Sequence, residues 1–278
     1  MARHQIRRWE DYSLDGTGTG VLRNLPGITN ERELARFETD ITQARMAQLL
    51  LEPVDGHFDY AHMREIHRRI FQDVYEWAGQ TRVGPHSPRR MSKTSLDVSG
   101  GPGVTPGPGT AVYHYYPADF LEEPLEKQYR ELAAADLLVG LDVSSFVEAL
   151  AVHWSDINVL HAFREGNTRS QFAFFHQLAE NAGYDLSSHL FKDGAPLRDE
   201  FVNARFYAHL HDTSWFATVL ARAIVPLDRG GGVGRSTEGD GPAAPTGVQG
   251  RRSAGTAGAG EFTEKQQSAP EVRLLPGQ

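Results

Sequence analysis

One stretch of the chain gathers the parts of phosphate chemistry: His161-Ala162-Phe163-Arg164-Glu165-Gly166-Asn167-Thr168-Arg169. Gly166 and Asn167 fall where a helical pattern begins, so backbone N–H groups there point outward without intrahelical partners. Together with the helix dipole they make an anion site. Glu165, directly before it, is placed to hold a divalent metal against phosphate oxygens, since Mg²⁺ typically takes one or two carboxylates plus phosphate. Arg169 is a charged donor suited to phosphate, and His161 can serve as a general base near neutral pH. A base, a metal carboxylate, an anion hole and a cation on one short segment imply transfer of a phosphorus-centred group. A histidine is more often structural than catalytic, and a glutamate at a helix start can be a mere dipole partner. For His161 that plainer reading fails, because its neighbours match in kind and order. It holds for the other histidines. His57, His62 and His67 recur every five residues, about 140° apart per step on a helix, and do not converge on a metal. His209 and His211 fall on different sides of a helix and read as surface or interface. Phe172, Phe174, Phe175, Trp77 and Trp154 read as core.

The elements that must position this segment are helical. Asn30 with Glu33 forms a capping-box start, and Leu34, Phe37, Ile41 and Ala44 follow on one apolar face. A second helix starts near Asp59 and carries Met63, Ile66, Ile70, Val74 and Trp77 to Gly79. A third starts at Pro117 and runs through Phe120, Leu125 and Tyr129 to about Leu138. A fourth begins around Ser144, with Val143, Phe146, Val147, Leu150, Trp154 and Ile157 on a common face. A fifth runs from about Asn167 to Ala182 and ends at Gly183. Two more fill Pro196 to Ile224, with a break near Asp212. Between Thr81 and Tyr116 the helical period vanishes, and the Gly/Pro-rich run from Gly100 to Gly109 suits neither helix nor strand. Its flanks, Arg90 to Leu96 and Ala111 to Tyr116, have strand character, so a short hairpin with a loose tip is expected as the sole β element. The fold class is all-α.

Composition shifts sharply near Pro226. Residues 1–228 form the expected folded unit, and 229–278, dominated by Gly, Ala, Ser, Thr and Pro, read as a disordered tail. A net charge of −8 argues against a nucleic-acid-binding role, which needs a clustered cationic face. The absence of cysteine excludes a disulfide framework, an iron–sulfur cluster and a thiolate zinc site, and fits a cytoplasmic location. The polar start shows no secretory signal, and no apolar run approaches the ~20 residues of a membrane span.

His161 to Arg169 also resembles the motif of the Fic family, His-Pro-Phe-x-Asp/Glu-Gly-Asn-x-Arg. The likeness continues in Val21-Leu22-Arg23-Asn24 with Gly27-Ile28-Thr29, and in Phe58-Asp59 through His67, Phe71, Tyr75-Glu76-Trp77-Ala78-Gly79 and Thr81-Arg82. This resemblance implies a Fic-fold helical bundle with the hairpin as a flap, and a protein adenylyltransferase that moves AMP from ATP to a Ser, Thr or Tyr hydroxyl of a target protein. It implies that His161 deprotonates that hydroxyl and that Phe163 anchors the loop. Glu165 would hold Mg²⁺ on the α- and β-phosphates. Gly166, Asn167 and Thr168 would form the anion hole, with the Asn167 side chain helping, and Arg169 would clamp phosphate. The flap, with Arg90 and Lys93, would pair with the target. Three positions depart from the family pattern: Ala162 replaces proline, Thr168 replaces the commoner glycine, and Phe172 replaces a second arginine that meets the γ-phosphate. Transfer of UMP, phosphate or phosphocholine is the alternative activity; the phosphate-transferring branch has Ala at the Gly166 position and Lys at the Thr168 position, and this chain has neither. A catalytically lapsed scaffold binding a partner through its flap is the non-enzymatic alternative. No Ser/Thr-x-x-x-Glu-Gly/Asn inhibitory motif occurs, so a separate small antitoxin-like helix would supply inhibition.

Overall fold

The computed structural model describes residues 6–85, 90–104, 110–188 and 195–227. The expected tail and the outer part of the hairpin tip, 105–109, lie outside the described residues. Seven α-helices account for about half of these residues: α1 (Glu31–Leu51), α2 (Tyr60–Phe71), α3 (Glu122–Ala134), α4 (Val143–Leu160), α5 (Asn167–Ala182), α6 (Pro196–Leu210) and α7 (Ser214–Ala221). Strands β1 (Ser92–Leu96) and β2 (Thr110–His114) form the expected antiparallel hairpin, with Ser92 opposite His114 and Leu96 opposite Thr110.

Local chemistry explains where the helices start and stop. The Asn30 side chain accepts a hydrogen bond from Glu33 N at 3.1 Å, and Asp59 caps α2 through His62 N at 2.8 Å. Such caps contribute about 1 kcal/mol each. Asp142 caps α4 through Ser144 N and Ser145 N, while α5 ends at Gly183 in the left-handed region (φ 94°), as a C′ glycine should. Asp212, at the expected break, accepts from Ser214 N and starts α7.

The core is centred on α5. Phe174, Phe175 and Leu178 are fully buried, and α5 packs on α2, α4 and a small second sheet. Trp154 of α4 stacks on Phe175 at 4.6 Å and meets Phe216 of α7 edge-on at 5.6 Å. These aromatic pairs add about 0.5–1.5 kcal/mol each beyond their area burial. Phe172, Trp77 and Trp154 are all core, as the sequence predicts.

Several expectations need correction. The hairpin is not the sole β element: β3 (Tyr184–Leu186) and β4 (Ile224–Pro226) pair antiparallel, and Ser13 bridges Leu22. These strands span three residues each, too short for a period of two to show. The second helix stops at Phe71 rather than Gly79, although Val74 and Trp77 remain buried because successive turns keep the chain on the same core. The third begins at Glu122 after a 3₁₀ turn (Ala118–Phe120), and Phe120 is 64 % exposed. A second 3₁₀ turn covers Asp136–Leu138. Val143 and Ala44 face outward instead of joining their helices' apolar stripes. On α1 the inward face carries Leu34, Thr42, Met46 and Leu49, and the polar members of that face serve the site.

Candidate active site

His161 is the C-cap of α4, with φ 50° and ψ 62°. That left-handed conformation is costly for a non-glycine residue, by roughly 1–2 kcal/mol. It turns the chain sharply out of α4, so that a short loop carries it to the start of α5. The His161 ring stacks on Tyr115 at 3.6 Å with the planes 12° apart. Burial first, then the charges of Arg82, Arg205 and Lys93, push its pKa well below the usual 6.5; the Asn158 backbone acts weakly the other way. The imidazole is therefore held neutral, the form a base requires.

The loop backbone is fastened at each step. Arg82 N donates to Ala162 O at 2.8 Å, and its guanidinium donates to His161 O at 2.7 Å and Tyr116 O at 2.5 Å. Burial lowers the Arg82 pKa to about 10, which leaves it charged at neutral pH. These bonds replace whatever rigidity a proline at 162 would add. Phe163 is buried, and its N–H and C=O close a ring with Asn167, donating to Oδ1 at 2.9 Å and accepting from Nδ2 at 2.7 Å. Thus the Asn167 side chain shapes the loop from within. Arg164 is buried over the Trp9 ring at 4.5 Å and donates to Gly18 O at 3.0 Å, clamping the N-terminal segment onto the loop.

His67 supports the loop from below. Gly79 N donates to its Nδ1 at 2.8 Å, which forces the proton onto Nε2, and Nε2 donates to Glu165 O at 3.0 Å. Phe163 stacks on the ring at 3.9 Å. Burial lowers the His67 pKa to about 3 from an ordinary 6.5. A depressed histidine pKa means that the unfolded chain binds the extra proton first. Stability is therefore full above pH 6.5 and is lost as pH falls toward 3. The loss from this residue reaches about 3 kcal/mol by pH 4. Urea titrations between pH 7 and 4 should show it, and His67→Gln should flatten that slope while lowering stability at pH 7. An unchanged slope in the variant would show that His67 is not the group protonated on unfolding.

Gly166 opens α5 with φ 79°, and a Cβ there would lie 2.1 Å from Cζ of Phe71. Both the backbone angle and the space require glycine. The anion site at this N-terminus faces the Glu165 carboxylate, whose Oε1 accepts from Gly166 N at 2.8 Å and lies 3.4 Å from Arg169. Arg169 is turned toward α1: it pairs with Glu38 at 2.5 Å, donates to Thr42 Oγ1 at 2.9 Å and lies over Phe71 at 4.7 Å. Tyr75 also donates to Glu38. Thr168 is half-buried, and its hydroxyl lies 3.4 Å from both terminal nitrogens of Arg205 on α6.

His161, Glu165, Gly166, Asn167, Thr168 and Arg169 are thus brought together. Of the two flap residues, Arg90 is exposed just before β1, whereas Lys93 lies 5.6 Å above the Phe206 ring and near enough to His161 for its charge to act there. The flap is anchored at its base, where Tyr116 N donates to Val159 O at 3.0 Å, and His209 on α6 reaches His114 O at 2.8 Å. His209 therefore links α6 to the flap. Sequence reasoning gave no role to Glu38, Arg164 or Arg205 and left His67 as a packing residue. Their function comes from partners distant in the chain.

The Fic/DOC family model matches residues 57–179. A probable protein adenylyltransferase of Sinorhizobium fredii is 35 % identical over 170 residues, 61 % of this chain and 76 % of that protein. One of Escherichia coli is 33 % identical over 170 residues, 61 % of this chain and 73 % of its own length. The N-terminal Fic domain of a Bartonella quintana effector, solved with bound ADP, superposes with a TM-score of 0.63 at 24 % identity, over 78 % of this chain and 95 % of that one. BepC of Bartonella tribocorum, solved with AMPPNP, gives a TM-score of 0.62 at 20 % identity, over 78 % and 97 %. The chain belongs to the Fic/DOC family.

Proposed function

We infer that this protein transfers AMP from ATP to a Ser, Thr or Tyr hydroxyl of a target protein. The observation that carries the reading is His161 and the N–H groups at the start of α5, set at the two ends of one fastened loop. Two relatives more than 30 % identical carry the name probable protein adenylyltransferase. In this reading His161 takes the proton of the target hydroxyl as its oxygen attacks the α-phosphorus. A new P–O bond forms, the bond to the bridging oxygen breaks, and pyrophosphate departs with the electron pair. The α5 N-terminus receives phosphate oxygens, and Asn167 and His67 keep the loop in place for them.

Glu165 fits a magnesium ion held jointly with phosphate: it is a single, part-exposed carboxylate at the anion site. Among the described residues no group of three or more His, Cys, Asp or Glu could cage a metal. When bound, Mg²⁺ would neutralise charge on the phosphate oxygens. The flap, with Arg90 and Lys93, would present the target, and a separate small helical inhibitor and a cytoplasmic setting complete the proposal. No helix among the described residues is long and apolar enough to cross a membrane.

Incubation with cell lysate and ATP labelled on the α-phosphate, followed by mass spectrometry, tests the assignment. The expected product is a hydroxyl side chain carrying AMP. Label arriving from the γ-phosphate alone, or transfer from UTP but not ATP, would overturn it in favour of phosphate or UMP transfer.

A further inference from the structure

Arg169 divides its guanidinium between Glu38 and Thr42 on α1 and Glu165 beside the anion site, and position 172 holds a buried phenylalanine in place of a second arginine. A second arginine reaches the start of α5 from another helix. Arg205 projects from α6, donates to Asn158 Oδ1 at 2.7 Å and brings both terminal nitrogens to 3.4 Å from the hydroxyl of Thr168. Thr168 lies in the first turn of α5, where N–H groups are open to an anion. Arg205 is also close enough to His161 to depress its protonation. Its guanidinium lies over the Phe201 ring, 5.3 Å from the centroid. The guanidinium thus touches the first turn of α5 and lies near enough to the base for its charge to act there.

We propose that Arg205, from outside the motif, is the arginine that binds the phosphate chain of the nucleotide at the start of α5. The proposal rests on the adenylyltransferase reading. A planar, permanently charged fork is the donor best matched to phosphate oxygens. Half-burial beside Phe201 and Asn158 holds it ready and cuts the entropy lost on binding.

The test is calorimetric titration of the full chain with ATP, ADP and adenosine, each in the presence of Mg²⁺. It uses the unaltered protein, Arg205→Gln and Arg205→Lys, each with a melting curve. Gln retains a donor for Asn158 but not the charge. The expected result is a loss of about tenfold or more in ATP affinity in Arg205→Gln, the scale of one charge-assisted hydrogen bond. Adenosine binding should be unchanged, and Lys should recover part of the ATP affinity. Equal ATP affinity in the unaltered protein and Arg205→Gln would overturn the role of Arg205 and leave the adenylyltransferase reading intact. Equal losses for ATP and adenosine would also overturn it, marking Arg205 as a packing residue of α6. Failure of the unaltered protein to bind ATP would remove both readings.

Discussion

His161→Ala should lower AMP transfer by at least two to four orders of magnitude, the usual range for loss of a general base, with the fold preserved. The side chain it removes meets Tyr115 in a single ring stack, and the loop's fastening runs through the backbone of residue 161 and through Arg82, Asn167 and His67. None of these bonds needs the imidazole. Melting curves should therefore move by only a few degrees while label transfer to the target disappears. The pH profile provides an independent check. Because burial and nearby cations hold the His161 pKa well below 6.5, the imidazole stays neutral as pH falls from 8 to 6. The kcat/KM value, which reports the free enzyme, should be flat over that range and decline only below it. An unperturbed histidine would give half-maximal activity near pH 6.5. Transfer by His161→Ala at the unaltered rate would remove His161 from the chemistry. A midpoint near 6.5 would place the base, whichever it is, in water.

Gly166→Ala should cost both stability and activity. The added methyl lies 2.1 and 2.2 Å from two atoms of the Phe71 ring, and the position needs φ 79°. Phe71 cannot yield easily: it is fully buried, stacked on His67 at 4.7 Å and covered by Arg169. Overpacking and a left-handed alanine together cost about 3 kcal/mol, or roughly 10 °C in Tm for a domain of this size. Any chain that does fold must shift the start of α5, and a displacement near 1 Å at such a site costs on the order of a hundredfold in rate. Phe71→Leu offers a control, since a smaller side chain leaves room for the methyl. Gly166→Ala should then destabilise the Phe71→Leu protein by clearly less than it destabilises the unaltered one. Equal costs in the two backgrounds would show that the clash with Phe71 is not the cause.

Much of this protein could be read from its residues in order. The boundaries of α5 at Asn167 and Gly183, the cap at Asp59, the break at Asp212 and the existence of the hairpin, though not its register, all follow from local signals. Capping, glycine angles and periodicity act within a few residues, so sequence alone determines them. The chemical parts of the site are legible for the same reason, because His161 to Arg169 are contiguous. What only the tertiary structure decided is where those parts point. Arg169 reads as a phosphate donor but meets Glu38, a residue 131 positions away; Thr168 meets Arg205 from another helix. His67 looks like one of three evenly spaced histidines, yet its two nitrogens join Gly79 to Glu165. The short β3 and β4 follow α5 and α7 in the chain and pair with each other, although neither strand has a pattern of its own. Charge pairing, tautomer choice and strand pairing between distant segments depend on which backbones the core brings together. That is set by packing over the whole chain, which no local window contains.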